Sequence, residues 1–257
     1  MAKMPSLLEM LKAGVHFGHQ KSRWHPKMKP FIFGVRNGVH IIDLEKTQEA
    51  LTTALEYVKG LTANGKVVMF VGTKRQAQAI LKSAAQACGA PYLTERWIGG
   101  FLTNFSEAKI RLKKFLTMRA EIESGEIEKY TKKEQLEIKK DLVTMEKYLS
   151  GVAGLTALPD ALFIADMRDS KIAVAEALKT KVPIVGVCDT NVSPDNADYP
   201  IPANDDAVNS IKMVANLLAE AINEGKAEWE KKKAAVKPVE KPVSKTPSRV
   251  VKIAESM

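Results

Sequence analysis

Four histidines fall within the first forty residues: His16 and His19 three positions apart, then His25 and His40. An HxxH pair could begin a zinc site, but a closed site takes about four ligands. No Cys or carboxylate adjoins the pair to supply the other half. Acid–base catalysis would need a second group to orient an imidazole, and none accompanies these histidines in sequence. Their surroundings are cationic instead: Lys21, Arg23, Lys27 and Lys29 interleave with Trp24, His25 and two prolines in "KSRWHPKMKP", and Arg36 follows. Cations neutralise phosphates, flat Trp and His faces stack on bases, and prolines hold a loop extended. The segment reads as an RNA contact, with His16 and His19 packed or hydrogen-bonded near a domain edge and no metal implied.

Three further stretches could bear chemistry. "FVGTKRQAQ" sets Gly72, Thr73, Lys74 and Arg75 where a strand passes into a helix, a place where backbone N–H groups and the helix dipole favour an anion. It lacks the remaining glycines of a dinucleotide fingerprint and the ending of a P-loop, so no nucleotide cofactor is expected and an RNA phosphate fits as well. "RWIGGFLTNF", residues 96–105, joins two glycines to Arg96, Trp97, Phe101 and Phe105. An exposed aromatic beside a cation could stack on a base, although such residues more often pack. Asp166, Arg168 and Asp169 follow one predicted strand and Asp189, Thr190 and Asn191 another, which is where α/β enzymes place catalytic groups. Acids there can equally cap a helix, and Asp169 or Ser170 is placed to do so.

These residues need elements to hold them. "NG" at 37–38 lies between two β-rich runs and predicts a type I′ hairpin. Leu44, Leu51, Leu55, Val58 and Leu61 recur at helical spacing before Gly65. "KVVMFVG" reads as a buried strand followed by a helix, "ALFIADMRDSKIAVAEALK" repeats the pattern, "VPIVGVCDTN" is a further strand, and "NDDAVNSIKMVANLLAEAINEG" is a closing helix. Nearly all-apolar strands alternating with helices call for a parallel sheet covered on both faces, a three-layer α/β domain. Residues 105–152 interrupt the alternation with two runs of heptad-like spacing, separated by Ser124-Gly125 and a capping box at Thr131 and Glu134. They read as an antiparallel coiled-coil hairpin, an arm inserted between residues 1–104 and 153–225 of the α/β domain.

Formal net charge is +9. Residues 1–42 carry +6, residues 43–225 carry −2 and residues 226–257 carry +5. A nearly neutral body with basic ends fits a domain whose termini meet a polyanion. The last 32 residues are rich in Lys and Pro and poor in large apolar residues, so disorder is expected over 226–257. Two cysteines without CxxC spacing suit a reducing cytosol, and no signal-peptide core or bilayer-length apolar run occurs. From the residues alone a ribonucleoprotein component ranks first, an α/β enzyme using the Asp166 and Asp189 loops second, and a protein scaffold built on the arm third.

"AGVHFGHQKSRWHPKMKPFIFGVRNGVHIIDL", "VGTKRQAQ", "RWIGGFLTNF", "PDALFIADMRDSKIAVAEA" and "VGVCDTNVSPDNADYPIPANDDAVNSIKMV" together resemble the bacterial small-ribosomal-subunit protein two family, in family order over most of residues 1–225. The resemblance implies a Rossmann-like or flavodoxin-like α/β domain bearing a coiled-coil hairpin, with no catalysis and no cofactor. It implies a cytoplasmic protein, neither membrane-bound nor a homo-oligomer, that joins small-subunit ribosomal RNA late in assembly near the head–body junction and helps dock ribosomal protein one, which captures messenger RNA. RNA contacts carried over on matching motifs are Lys21, Arg23, Trp24, His25, Lys27, Lys29 and Arg36, then Lys74, Arg75 and Arg96.

Overall fold

A computed structural model describes residues 4–235. Ser6 and Glu9 form a capping box that opens a short first helix, α1 (Leu7–Lys12). Strands β1 (Phe17–Gln20), β2 (Ile32–Arg36) and β3 (Val39–Ile42) make a small antiparallel sheet in the order β1-β3-β2. Asn37 and Gly38 both take positive φ, 51° and 77°, in the tight turn joining β2 to β3, as the Asn-Gly pair predicts. Asp43 then caps α2 (Leu44–Thr62) by accepting from the Glu45 N–H at 3.1 Å.

The main sheet has five strands: β4 (Val68–Val71), β5 (Tyr92–Leu93), β6 (Ala161–Ile164), β7 (Ile184–Cys188) and β8 (Tyr199–Pro202). Its order is β5-β4-β6-β7-β8 and every pairing is parallel. Chain direction across the sheet therefore reverses at β4 and β6, the doubly wound arrangement whose crevice lies beyond the carboxyl ends of those strands. Pleating divides the strand residues between two cores. Val68, Phe70, Ala161, Phe163, Val185, Val187 and Ile201 enter one, with α2, α3 (Arg75–Cys88) and α7 (Val208–Ala235) above them. Met69, Val71, Leu162, Ile164, Ile184 and Cys188 enter the other, against α6 (Lys171–Thr180), the 97–102 loop and Met28.

Between β5 and β6 run α4 (Phe105–Glu123) and α5 (Lys132–Leu149), which touch each other. Ala108, Leu112, Phe115, Leu149 and Val152 are buried in the second core, so the roots of both helices are tied to the body. Thr131 and Glu134 make the expected capping box, with the Thr131 N–H donating to Glu134 at 2.9 Å.

Three expectations are corrected. Helix α7 runs to Ala235, so residues 226–235 are helical rather than disordered. Lys226 donates to the Cys88 and Gly89 carbonyls that end α3, at 2.5 and 3.1 Å, and Lys232 donates to the Ala63 carbonyl at 3.2 Å. Trp229 packs where a Cβ on Gly65 would otherwise sit. These contacts supply the burial that lysine-rich composition hides; the expectation for residues 236–257 lies outside the described residues. Ser170 occupies the cap position of α6 but makes no side-chain capping bond. Asp166 instead accepts from the Arg168 and Asp169 N–H groups at 3.2 and 3.1 Å. Finally, β1, β5 and β8 were not foreseen: β5 has only two residues, and β8 carries Pro200 and Pro202, tolerable because it is an edge strand.

Candidate nucleic-acid interface

The basic segment leaves β1 along the carboxyl edge of the main sheet. The Lys21 N–H donates to the Gly38 carbonyl at 2.9 Å and the His25 N–H to the Thr190 carbonyl at 2.7 Å. Trp24 lies half-buried with its ring centroid 5.3 Å from that of His40. His25 Nδ1 accepts from the Lys27 N–H at 3.2 Å as Pro26 opens a 3-10 turn. Met28 points inward and is fully buried, which turns its neighbours outward: Lys21, Arg23, Lys27 and Lys29 are exposed, and so is Arg36 beside the hairpin turn. Lys27 forms a surface ion pair with Asp195. The arrangement is a set of outward cations on a pinned loop, able to meet phosphates without reorganising its backbone.

Lys74 behaves differently. Its ammonium lies 2.8 Å from Asp205, 2.9 Å from Asp206 and 4.0 Å from Asp166, with only 12% of the side chain exposed. Burial works to lower its pKa, yet the Asp205 and Asp206 carboxylates hold it above the ordinary lysine range. Its charge is already matched inside the fold and does not face outward. Gly72 explains itself locally as well: a Cβ there would collide with Leu81 of α3, so the glycine admits the helix rather than cradling a phosphate. Arg75, the next residue, is exposed.

The same crevice draws in His19. Its N–H donates to Thr190 Oγ1 at 2.8 Å, Nδ1 lies 3.1 Å from Asp189 and Nε2 3.4 Å from Asp206. With a carboxylate at each ring nitrogen, both nitrogens must be donors, so the imidazolium suits the site. The Asp189 hydrogen bond raises the His19 pKa accordingly, over the opposing effect of burial. Burial and the Asp189 charge push Asp205 up to about 7 against the pull of Lys74. Carboxylates absent from the neighbourhood of His19 in sequence are thus delivered by the ends of β7 and β8. One ligand-type atom from each of His19, Asp205 and Asp206 lies within 4.8 Å of the others, but Lys74 already pairs with both acids. His16 and His40 have pKa values lowered by burial.

At the other side of the sheet, Arg96 is exposed while Trp97 and Phe101 are buried. Trp97 donates its indole N–H to Glu176 at 3.0 Å, and the same carboxylate accepts from the Gly100 and Leu102 N–H groups at 2.7 and 3.0 Å. Burial opposes the Glu176 charge, but these donors keep its pKa below the ordinary carboxylate range. Packing, not base stacking, employs these aromatics. Glu176 itself resembled an ordinary helix-surface acid in the sequence.

Cys88 and Cys188 are buried free thiols, and burial pushes Cys188 up to about 12, which removes both from nucleophilic roles. No helix among the described residues is long and apolar enough to cross a membrane.

The family described as "Ribosomal protein S2" matches residues 10–225. Over 221 residues the chain is 50% identical to "Small ribosomal subunit protein uS2" of Coprothermobacter proteolyticus, covering 86% of this chain and 82% of that protein. The corresponding protein of Geotalea uraniireducens is 47% identical over 220 residues, covering 86% of both.

Proposed function

The chain belongs to the ribosomal protein S2 family, structural and non-enzymatic proteins of the small ribosomal subunit, and we propose that its own work is to clamp small-subunit ribosomal RNA through the outward basic segment. The observation that carries this is the pairing of exposed Lys21, Arg23, Lys29 and Arg36 with an inward anchor at Met28 and a backbone tie at Thr190. Trp24, His25 and Lys27 complete that surface, and Arg75 and Arg96 extend it. Lys74 supports it from within by holding the crevice together.

In this reading the protein is cytoplasmic, acts as a single copy per subunit and joins late in assembly near the head–body junction. Residues 1–104 and 153–225 form the body, 105–152 a coiled-coil arm, and the chain beyond Ala235 a basic extension. Docking of ribosomal protein one is assigned to the body's apolar surface: Leu11, Phe17, Phe33 and Val35 stand exposed together on α1 and the small sheet, with Phe33 at 80%. Contiguous exposed apolar residues of that kind mark protein contacts.

The test is sedimentation of a cell lysate. The chain travels with small subunits in low salt and leaves them in high salt, because each phosphate contact contributes about −0.7 to −0.9 to the log–log salt slope. Its absence from small subunits at low salt would overturn the assignment.

A further inference from the structure

A cavity of about 380 Å³ opens between residues 96–99 and the roots of α4 and α5, lined by Arg96, Trp97, Ile98, Arg111, Met145 and Tyr148 among others. Arg96 and Arg111 are both exposed, and neither guanidinium has an ion-pair or hydrogen-bond partner among the described residues. The acid adjoining Arg96, Glu95, is engaged elsewhere, by Lys147 at 3.3 Å. The floor is rigid, since Trp97 is fixed by Glu176 and Leu149 is buried. One turn along α4 from Arg111, Lys114 is exposed on the same side of the helix.

Each of these facts narrows the ligand. Two unmatched guanidinium forks in one cavity select an anion whose oxygens can be held in pairs, and phosphate is such an anion. The half-buried Ile98, Met145 and Tyr148 supply an apolar and aromatic wall, of use to a flat base and of none to a bare phosphate. The volume suits one small organic moiety. Lys114, one turn beyond Arg111, calls for a further phosphate outside the cavity, which the continuing backbone of a polynucleotide supplies. Bases within a duplex hide their faces in the stack, whereas a bulged or looped base can be splayed onto an aromatic side chain.

We propose that this cavity receives one unpaired nucleotide of the small-subunit ribosomal RNA, with Arg96 and Arg111 holding the phosphates on either side and Tyr148 lying against the base. The proposal rests on the ribosomal assignment above and adds Arg111 and Tyr148 to the contact surface.

The experiment uses the full chain and small subunits stripped of this protein by salt, with affinity measured across a range of KCl concentrations and base reactivity mapped on the RNA. Arg96→Ala and Arg111→Ala each lower the magnitude of the salt slope by about 0.7 to 0.9. Tyr148→Ala weakens binding about 5- to 150-fold with the slope unchanged, as loss of one base–aromatic stack does, while Tyr148→Phe binds as the parent does. The same nucleotide loses its protection in Arg96→Ala, Arg111→Ala and Tyr148→Ala, and melting curves confirm that each variant is folded. Arginine variants that keep the parental slope and protection would overturn the proposal. So would variants that lose occupancy only when a neighbouring protein is present, which would make the cavity a protein contact. If the unaltered chain does not bind the stripped subunits, the ribosomal assignment fails first, and that result is recognisable because no variant is needed to see it.

Discussion

The crevice at the carboxyl edge of the main sheet and the basic segment lying over it treat charge in opposite ways. In the crevice Asp166, Asp189 and Asp205 are almost wholly buried, Lys74 answers them, and His19 bridges Asp189 and Asp206. In the segment the cations stand in water, and among the described residues the one ion pair made by Lys21, Arg23, Lys27 or Lys29 is that of Lys27 with Asp195. A lysine is available to a polyanion only where the fold has not already matched it. Position beside a strand end or a glycine does not decide this; the carboxylates brought in from distant parts of the chain do.

The largest effect should come from breaking the matched side. Lys74→Met leaves buried carboxylates without their counter-ion and costs about 3–5 kcal/mol of stability, measured by denaturant unfolding. RNA affinity per folded molecule keeps its salt slope. A stability loss below about 1 kcal/mol, in the range typical of surface pairs, would erase the contrast between the two regions.

Glu176→Ala tests whether a buried carboxylate can be held by N–H donors instead of a cation. It strands the Trp97, Gly100 and Leu102 donors and should cost about 2–3 kcal/mol, read as a lowered melting temperature. Glu176→Gln retains an accepting oxygen and should lose less. Ending the chain at Gly225 removes Lys226, Trp229 and Lys232 from their sites on α2 and α3 and should cost about 1–2 kcal/mol, given the apolar area Trp229 gives up.

The two buried acid sites also respond to pH with opposite sign. His19 has a raised pKa, so its contribution is complete below 6.5, its ordinary value, and is lost as pH rises through the folded value. Asp205 is raised from 3.8 to about 7, so the fold favours its protonated form and stability falls over that interval. Both make stability fall as pH rises, Asp205 between 3.8 and about 7 and His19 above 6.5. Glu176 is lowered, so its contribution is present above 4.5 and is lost as pH falls through the folded value. His19→Gln should remove the part of the decline above 6.5 and leave the loss at low pH due to Glu176 in place.

Least disturbed should be the stability of a variant with Lys21, Arg23, Lys27 and Lys29 all changed to Ala, within about 0.5 kcal/mol of the parent. Its salt slope, by contrast, should shrink by about three units when all four contact phosphates. An unchanged slope would remove the segment from the RNA surface.

Much of the architecture was legible because its signals are local. Apolar runs announced β4, β6 and β7, Asn37-Gly38 fixed the hairpin, and Thr131 with Glu134 marked the start of α5. The crevice was not, since it is assembled from the ends of four strands and a histidine from the amino-terminal sheet. Lys74 beside Arg75 gave no local sign that one would turn inward and the other outward. The docked turns of α7 escaped notice because composition averaged over a lysine-rich stretch outweighed Trp229, the one residue there with a large surface to bury.

Helix α7 contributes Ile211, Val214, Leu218 and Ile222 to the first core and is the last described element of the chain. While this protein is being translated, β4, α2 and α3 emerge before the helix that covers them has been made. One side of the nascent sheet must wait, wetted and adhesive, until Ile211, Val214, Leu218 and Ile222 have been joined to the chain.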